Sequence, residues 1–160
     1  MSALTLILGG ARSGKTRHGE ALITALPAPW AYIATAEIFD QEMEARITRH
    51  RADRTAKGWV TIETPVELWT ALDNSMPALV DCLTLWVSNL MHGEHDIEHC
   101  FTRLEDALAK RTAPTYLIGN EVGLGIVPDN AMAREFRDHA GRLHQRLAKR
   151  ADTVLFMVAG

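Results

Sequence analysis

The sequence is poor in cysteine. Cys82 and Cys100 are its two thiols in 160 residues, which excludes a disulfide framework and a cysteine-built metal cluster. It lacks long apolar runs: none approaches the ~20 residues of a membrane-spanning helix. It also lacks a charge excess. Lys and Arg number 17 against 20 Asp and Glu, a net charge of −3, unlike a surface built to grip nucleic acid. Internal repeats and linker-like tracts are absent. With 47% hydrophobic and 23% charged residues, disorder over most of the chain is excluded. The opening MSALTLILGG has no basic stretch ahead of its apolar residues and reads as a strand, not a signal peptide. The expectation is a single cytoplasmic domain spanning residues 1–160.

What is present is an alternation of short apolar runs and helical patterns. Strands are expected at 3–8, 30–34, 59–62, 78–82, 115–119 and 153–158. Between them lie helical patterns with punctuated ends. LPAPW stops the first, because proline lacks the amide donor and clashes inside a helix. Asp40 is placed to cap a helix running to about residue 52, with Met43, Ile47 and His50 on one face. Leu68, Trp69 and Leu72 mark a short helix after Pro65, and residues 84–91 turn helical. The stripe Ile97, Phe101, Leu104 and Leu108 marks the next helix; Met132, Phe136, Leu143 and Leu147 mark the last. This order predicts a three-layer α/β domain with a mostly parallel central sheet.

The segment GGARSGKT, Gly9 to Thr16, completes the phosphate-loop pattern G-x-x-x-x-G-K-[ST] between a strand and a helix. The fold expected is therefore of the P-loop NTPase type. Gly9, Gly10, Ala11, Arg12, Ser13 and Gly14 supply a loop whose amides close around phosphates, aided by the helix start. Lys15 is expected to reach the β- and γ-phosphates, and Thr16 to place its hydroxyl on Mg²⁺. Asp81, at a strand end, is the expected metal-side acid; the bland reading is a cap of the next helix. A nucleotide loop alone serves kinases, hydrolases and regulatory GTP-binding modules alike.

Three further segments narrow the choice. YIATAEIFDQEMEARITRHRADR, DCLTLWVSNL and GNEVGLGIVPDNAMAREFRDHAGRLHQRLA, together with LGGARSGKT, closely resemble the bifunctional cobinamide kinase/cobinamide-phosphate guanylyltransferase family of vitamin B12 assembly. The resemblance covers nearly the whole chain. It implies an enzyme that phosphorylates the aminopropanol hydroxyl of adenosylcobinamide with ATP or GTP. GMP would then pass from GTP to adenosylcobinamide phosphate, releasing pyrophosphate. It implies a homotrimer; Mg²⁺ as cofactor is expected from the phosphate loop, and the absence of a membrane span or nucleic-acid partner from the short apolar runs and balanced charge. The family's guanylylated histidine falls on His50, at the end of ARITRH. Arg49 stands where some relatives carry a second histidine, and Asp81 where relatives often have glutamate. Asn120 and Glu121 match the family's NEVG loop. Glu121 carries three readings: metal ligand, acceptor of the substrate hydroxyl proton, or ribose contact.

Imidazole suits nucleophilic attack on phosphorus because it is largely neutral near physiological pH. Arg46 and Arg54 flank His50 at four-residue spacing, on one helical face. From periodicity alone, His50 reads first as the border of a packed stripe and its arginines as a solvated face. His18 is a weaker candidate, and His92, His95 and His99 read as surface residues. Arg134 and Arg137 are candidates for phosphate contact, whereas Arg142 and Arg146 are expected to face solvent. Trp69, Trp86 and Leu90 are expected in the core. The alternatives left open are a single-step P-loop kinase and a non-catalytic GTP-binding module.

Overall fold

The computed structural model describes residues 3–160. Six strands form one sheet: β1 (Leu4–Gly9), β2 (Trp30–Ala34), β3 (Trp59–Glu63), β4 (Ala78–Asp81), β5 (Thr115–Asn120) and β6 (Thr153–Met157), in the order β3-β2-β4-β5-β1-β6. Every pairing is parallel. Helices α1 (Lys15–Thr24), α2 (Gln41–Ala56), α3 (Leu68–Ala71), α4 (Leu83–His92), α5 (Ile97–Lys110) and α6 (Ala131–Ala148) connect them.

The apolar runs in the strands follow from burial on both faces. Successive residues of a strand point to opposite sides. Leu6, Ile33, Val80 and Leu117 join Trp86, Phe101, Leu104 and Leu143 in the core beneath α3–α6. Ile7, Tyr32, Leu79 and Ile118 join Ile23 of α1 and Trp59 on the other side. The layers are therefore helix, sheet, helix. Trp86 and Leu90 are fully buried, and Trp69 packs at the margin of the core with Arg103 stacked 4.8 Å from its ring centre. Among the described residues no helix is long and apolar enough to cross a membrane.

Local chemistry sets the helix ends. Asp40 caps α2, its carboxylate accepting from the Met43 amide at 2.7 Å. Asn130 caps α6 through the Ala133 amide at 2.7 Å. The stop of α2 near residue 52 is corrected to Ala56. Arg51–Ala56 contains no proline or glycine, so the helix continues until Gly58, whose φ of 99° ends it. Arg146 also differs from expectation. It pairs with Glu98 at 2.8 Å and Glu105 at 2.5 Å, joining α6 to α5 and not facing solvent alone.

Candidate active site

The glycine loop sits at the carboxyl end of β1, where open parallel sheets place ligands. Gly9 pairs with Asn120 on one side and Met157 on the other. A Cβ at Gly9 would lie 2.5 Å from the Met157 carbonyl and 2.7 Å from the Ser13 hydroxyl, so only glycine fits. Gly14 precedes α1 at φ 94°, the left-handed region that favours glycine. Ala11 and Arg12 are exposed, and Ser13 is buried. Lys15 is buried as well; its ammonium donates to the Gly10 carbonyl at 2.5 Å and approaches the Ser13 hydroxyl at 3.4 Å. The loop thus folds back over its own lysine.

Asp81 stands at the end of β4, two strands from β1. Its Oδ2 accepts from the Tyr32 hydroxyl at 2.6 Å and from the Thr16 hydroxyl at 3.4 Å. It does not cap α4. That role belongs to Cys82, whose sulfur accepts from the Leu85 amide at 3.4 Å. Burial raises the Cys82 thiol pKa, which keeps it protonated and unreactive. Tyr32 is also raised, first by burial and then by the Asp81 charge, so its hydroxyl stays a donor.

Thr16 and Asp81 open into a cavity of about 520 Å³. Its walls include Glu20, Tyr32, His50 and Arg54. Glu20 lies one turn after Thr16, on the same face of α1. Its pKa is raised by burial, then by Asp81, against the pull of Arg54, Lys57 and His50. His50 reaches the cavity from α2, which has no fully buried residue. The helix therefore rests on the sheet through half-buried and charged side chains.

Thr16 and Asp81 fit Mg²⁺ by donor chemistry, being hard oxygens side by side at the start of α1 and the end of β4. Among the described residues no cluster of three His, Cys, Asp or Glu side chains is arranged to hold a metal. A site that holds Mg²⁺ through one or two protein oxygens and substrate phosphates has no need of one.

The expected residues thus divide. Thr16, Asp81 and His50 line one cavity, and Lys15 lies buried in the loop beside Thr16. Asn120 lies behind them, donating to the Thr84 hydroxyl at 3.0 Å and reaching the Cys82 sulfur at 3.8 Å. Glu121 turns onto its own loop and accepts from the Gly123 amide. Arg137 donates to the Gly123 carbonyl at 2.5 Å and Arg134 to the Pro128 carbonyl at 2.8 Å. His18 and Arg46 do not line the cavity, and His92, His95 and His99 are exposed.

Residues 5–160 match the family described as cobinamide kinase / cobinamide phosphate guanyltransferase. The chain belongs to this family. It is 42% identical to the bifunctional adenosylcobalamin biosynthesis protein CobU of Salmonella typhimurium, covering 98% of this chain and 96% of that protein. It is 42% identical to the corresponding CobP of Pseudomonas aeruginosa, over 97% and 92% of the two chains. Identity to CobU of Escherichia coli is 39%, over 98% and 96%.

Within this cobinamide kinase/guanyltransferase chain, sequence reasoning missed Glu20 and Tyr32. The four-residue step from Thr16 to Glu20 was a usable signal. Tyr32 gave a fainter one: a polar tip inside a strand otherwise made of apolar residues.

Proposed function

We propose that this protein phosphorylates the aminopropanol hydroxyl of adenosylcobinamide and then guanylylates the product through a His50–GMP intermediate. In the first step the substrate hydroxyl oxygen attacks the γ-phosphorus of ATP or GTP. The P–O bond to the nucleoside diphosphate breaks, and the hydroxyl proton leaves to a base. In the second step a neutral His50 ring nitrogen attacks the α-phosphorus of GTP and pyrophosphate departs. A phosphate oxygen of adenosylcobinamide phosphate then attacks the same phosphorus. The N–P bond breaks, giving adenosyl-GDP-cobinamide and free His50.

The observation that carries this reading is the shared cavity: His50 of α2 faces the same space as Thr16 and Asp81. A simple kinase has no use for a histidine there. On this reading Gly9 to Gly14 cradle the phosphates of a P-loop NTPase-like site, and Lys15 moves from the Gly10 carbonyl to a phosphate oxygen. Mg²⁺, held by Thr16 and Asp81, would offset phosphate charge. Asn120 steadies the turn after Asp81. Glu121 is a metal ligand, the acceptor of the substrate hydroxyl proton or a ribose contact; its loop adjoins Gly9, the Glu121 amide donating to the Gly9 carbonyl at 2.8 Å, and its carboxylate accepts from the Gly123 amide. The assembly is a homotrimer acting in the cytoplasm.

His50→Ala tests the reading. With α-labelled GTP, wild type should retain acid-labile, base-stable label on the protein and the variant none. Guanylyl transfer should collapse, and cobinamide phosphorylation should fall much less. Wild-type labelling of the variant would remove His50 from the mechanism. Unchanged guanylyl transfer without any labelled protein would favour direct transfer at the phosphate loop.

A further inference from the structure

We propose that Arg54 and Tyr32 are positioning residues that tie His50 to the phosphate loop. This rests on the reading of His50 as the guanylyl acceptor. A helix with no fully buried residue, α2 has little apolar packing to fix its distance from the sheet, so its polar contacts decide where His50 stands.

Those contacts are concentrated just after His50. Arg51 pairs with Glu63 on β3. Arg54 lies one turn beyond His50, on the same helical face. Its guanidinium carbon stands 4.0 Å from the centre of the Tyr32 ring, and its Nε donates to the Thr61 hydroxyl at 3.3 Å. Tyr32 and Thr61 are direct partners across β2 and β3. Arg54 therefore straddles one cross-strand pair, stacking on one member and donating to the other. A planar guanidinium can do both, because its faces stack while its edge donates.

The chain of contacts continues from the far side of Tyr32. Its hydroxyl donates to Asp81 Oδ2 at 2.6 Å, the oxygen that also accepts from Thr16 at 3.4 Å. Arg54, Tyr32, Asp81 and Thr16 thus form an unbroken path from the helix of His50 to the end of the phosphate loop. The two ends of Tyr32 have separate duties. Its ring sets the height of α2, and its hydroxyl orients the carboxylate beside Thr16. The ring should therefore matter most to attack by His50, and the hydroxyl to metal dependence.

The test uses full-length Arg54→Ala, Tyr32→Leu, Tyr32→Phe and the Arg54→Ala/Tyr32→Leu double variant. Three quantities are measured: the single-turnover rate of GMP attachment from α-labelled GTP, the rate of cobinamide phosphorylation, and the Mg²⁺ concentration for half-maximal rate. Arg54→Ala and Tyr32→Leu should each slow GMP attachment about tenfold more than phosphorylation. The double variant should lose less than the sum of the two singles, because both remove the same stacking contact while Arg54→Ala also loses the Thr61 bond and Tyr32→Leu the Asp81 bond. Tyr32→Phe should hold GMP attachment within about threefold of wild type, since the face remains for stacking, while raising the Mg²⁺ requirement.

Additive losses in the double variant would overturn the proposal and give Arg54 a direct role on the nucleotide. Equal losses of both activities would reduce the pair to general support of the fold. A Tyr32→Phe variant as impaired as Tyr32→Leu would also overturn it, since the ring would then carry nothing. Normal GMP attachment in all variants sinks the tie alone, whereas absence of GMP attachment in wild type sinks the His50 reading with it.

Discussion

At the residue scale, Asp81 carries the clearest division of labour. One of its oxygens receives both Tyr32 and Thr16, so its charge is already oriented toward the loop before a phosphate arrives. Asp81→Asn keeps the shape but removes the anionic oxygen that a hard cation needs. Turnover should need more Mg²⁺ and fall even at saturating metal. A metal titration identical to wild type would reduce Asp81 to an anchor for Tyr32. His144 is a second residue with a defined signature. It is buried on α6, its Nε2 without a hydrogen-bond partner, and burial lowers its pKa below 6.5 against the opposing pull of Glu121. The folded state therefore favours the neutral ring. Below about pH 6.5 the unfolded chain binds more protons, so stability should fall as pH drops through that range and level off below the folded pKa. Urea midpoints at two pH values, above and below this range, check it. His144→Leu should flatten the difference, and an unchanged difference would assign the pH dependence elsewhere.

At the element scale, the joint between α3, β4 and β5 depends on Arg111, just beyond α5. Its guanidinium donates to the Leu72, Asn74 and Met76 carbonyls and to the Thr115 hydroxyl. Burial lowers its pKa, yet an arginine starts so high that it stays charged. Arg111→Ala would strand these acceptors at about 1–3 kcal/mol for each that water cannot reach. The expected loss is about 3–5 kcal/mol by equilibrium denaturation. A loss below about 1 kcal/mol would mean that water takes over the carbonyls. The elements themselves were largely legible. Proline and glycine punctuation and the two hydrophobic periods place each strand and helix within a few residues. The end of α2 was legible as well, although the expectation stopped it too early: Arg51–Ala56 contains no breaker and Gly58 follows. The bridging of Arg146 to Glu98 and Glu105 was not legible, since a charged helix face looks alike whether it meets solvent or another helix.

At the scale of the whole molecule, the site depends on a strand order that no local pattern encodes. Sequence reasoning found the glycine loop, Asp81 and His50 as separate motifs. Their meeting follows from β4 lying between β2 and β5, which carries Asp81 to Thr16 and Tyr32. For the same reason Tyr32 and Glu20 escaped notice: their roles exist only once β2 and α1 face the same cavity. The edge strand β6 leaves Val154 and Phe156 exposed, Val158 is exposed just beyond it, and Leu124 and Ile126 stand out from the loop after β5. Exposed apolar side chains on and near an edge strand suit contact with other copies. Sedimentation equilibrium should give a trimer, and Phe156→Glu should shift it toward monomer. A monomeric wild type would contradict that assembly.

On the proposed reading one phosphate loop serves two chemistries, the second through His50. Its most direct test is to map the GMP adduct. Wild-type protein is incubated with GTP and Mg²⁺, quenched at alkaline pH, digested, and its peptides fragmented by mass spectrometry. One GMP moiety is expected on the peptide containing His50, with fragment ions placing it on the imidazole and loss of the adduct in acid. GMP on His18, on a lysine or on any other side chain would contradict it.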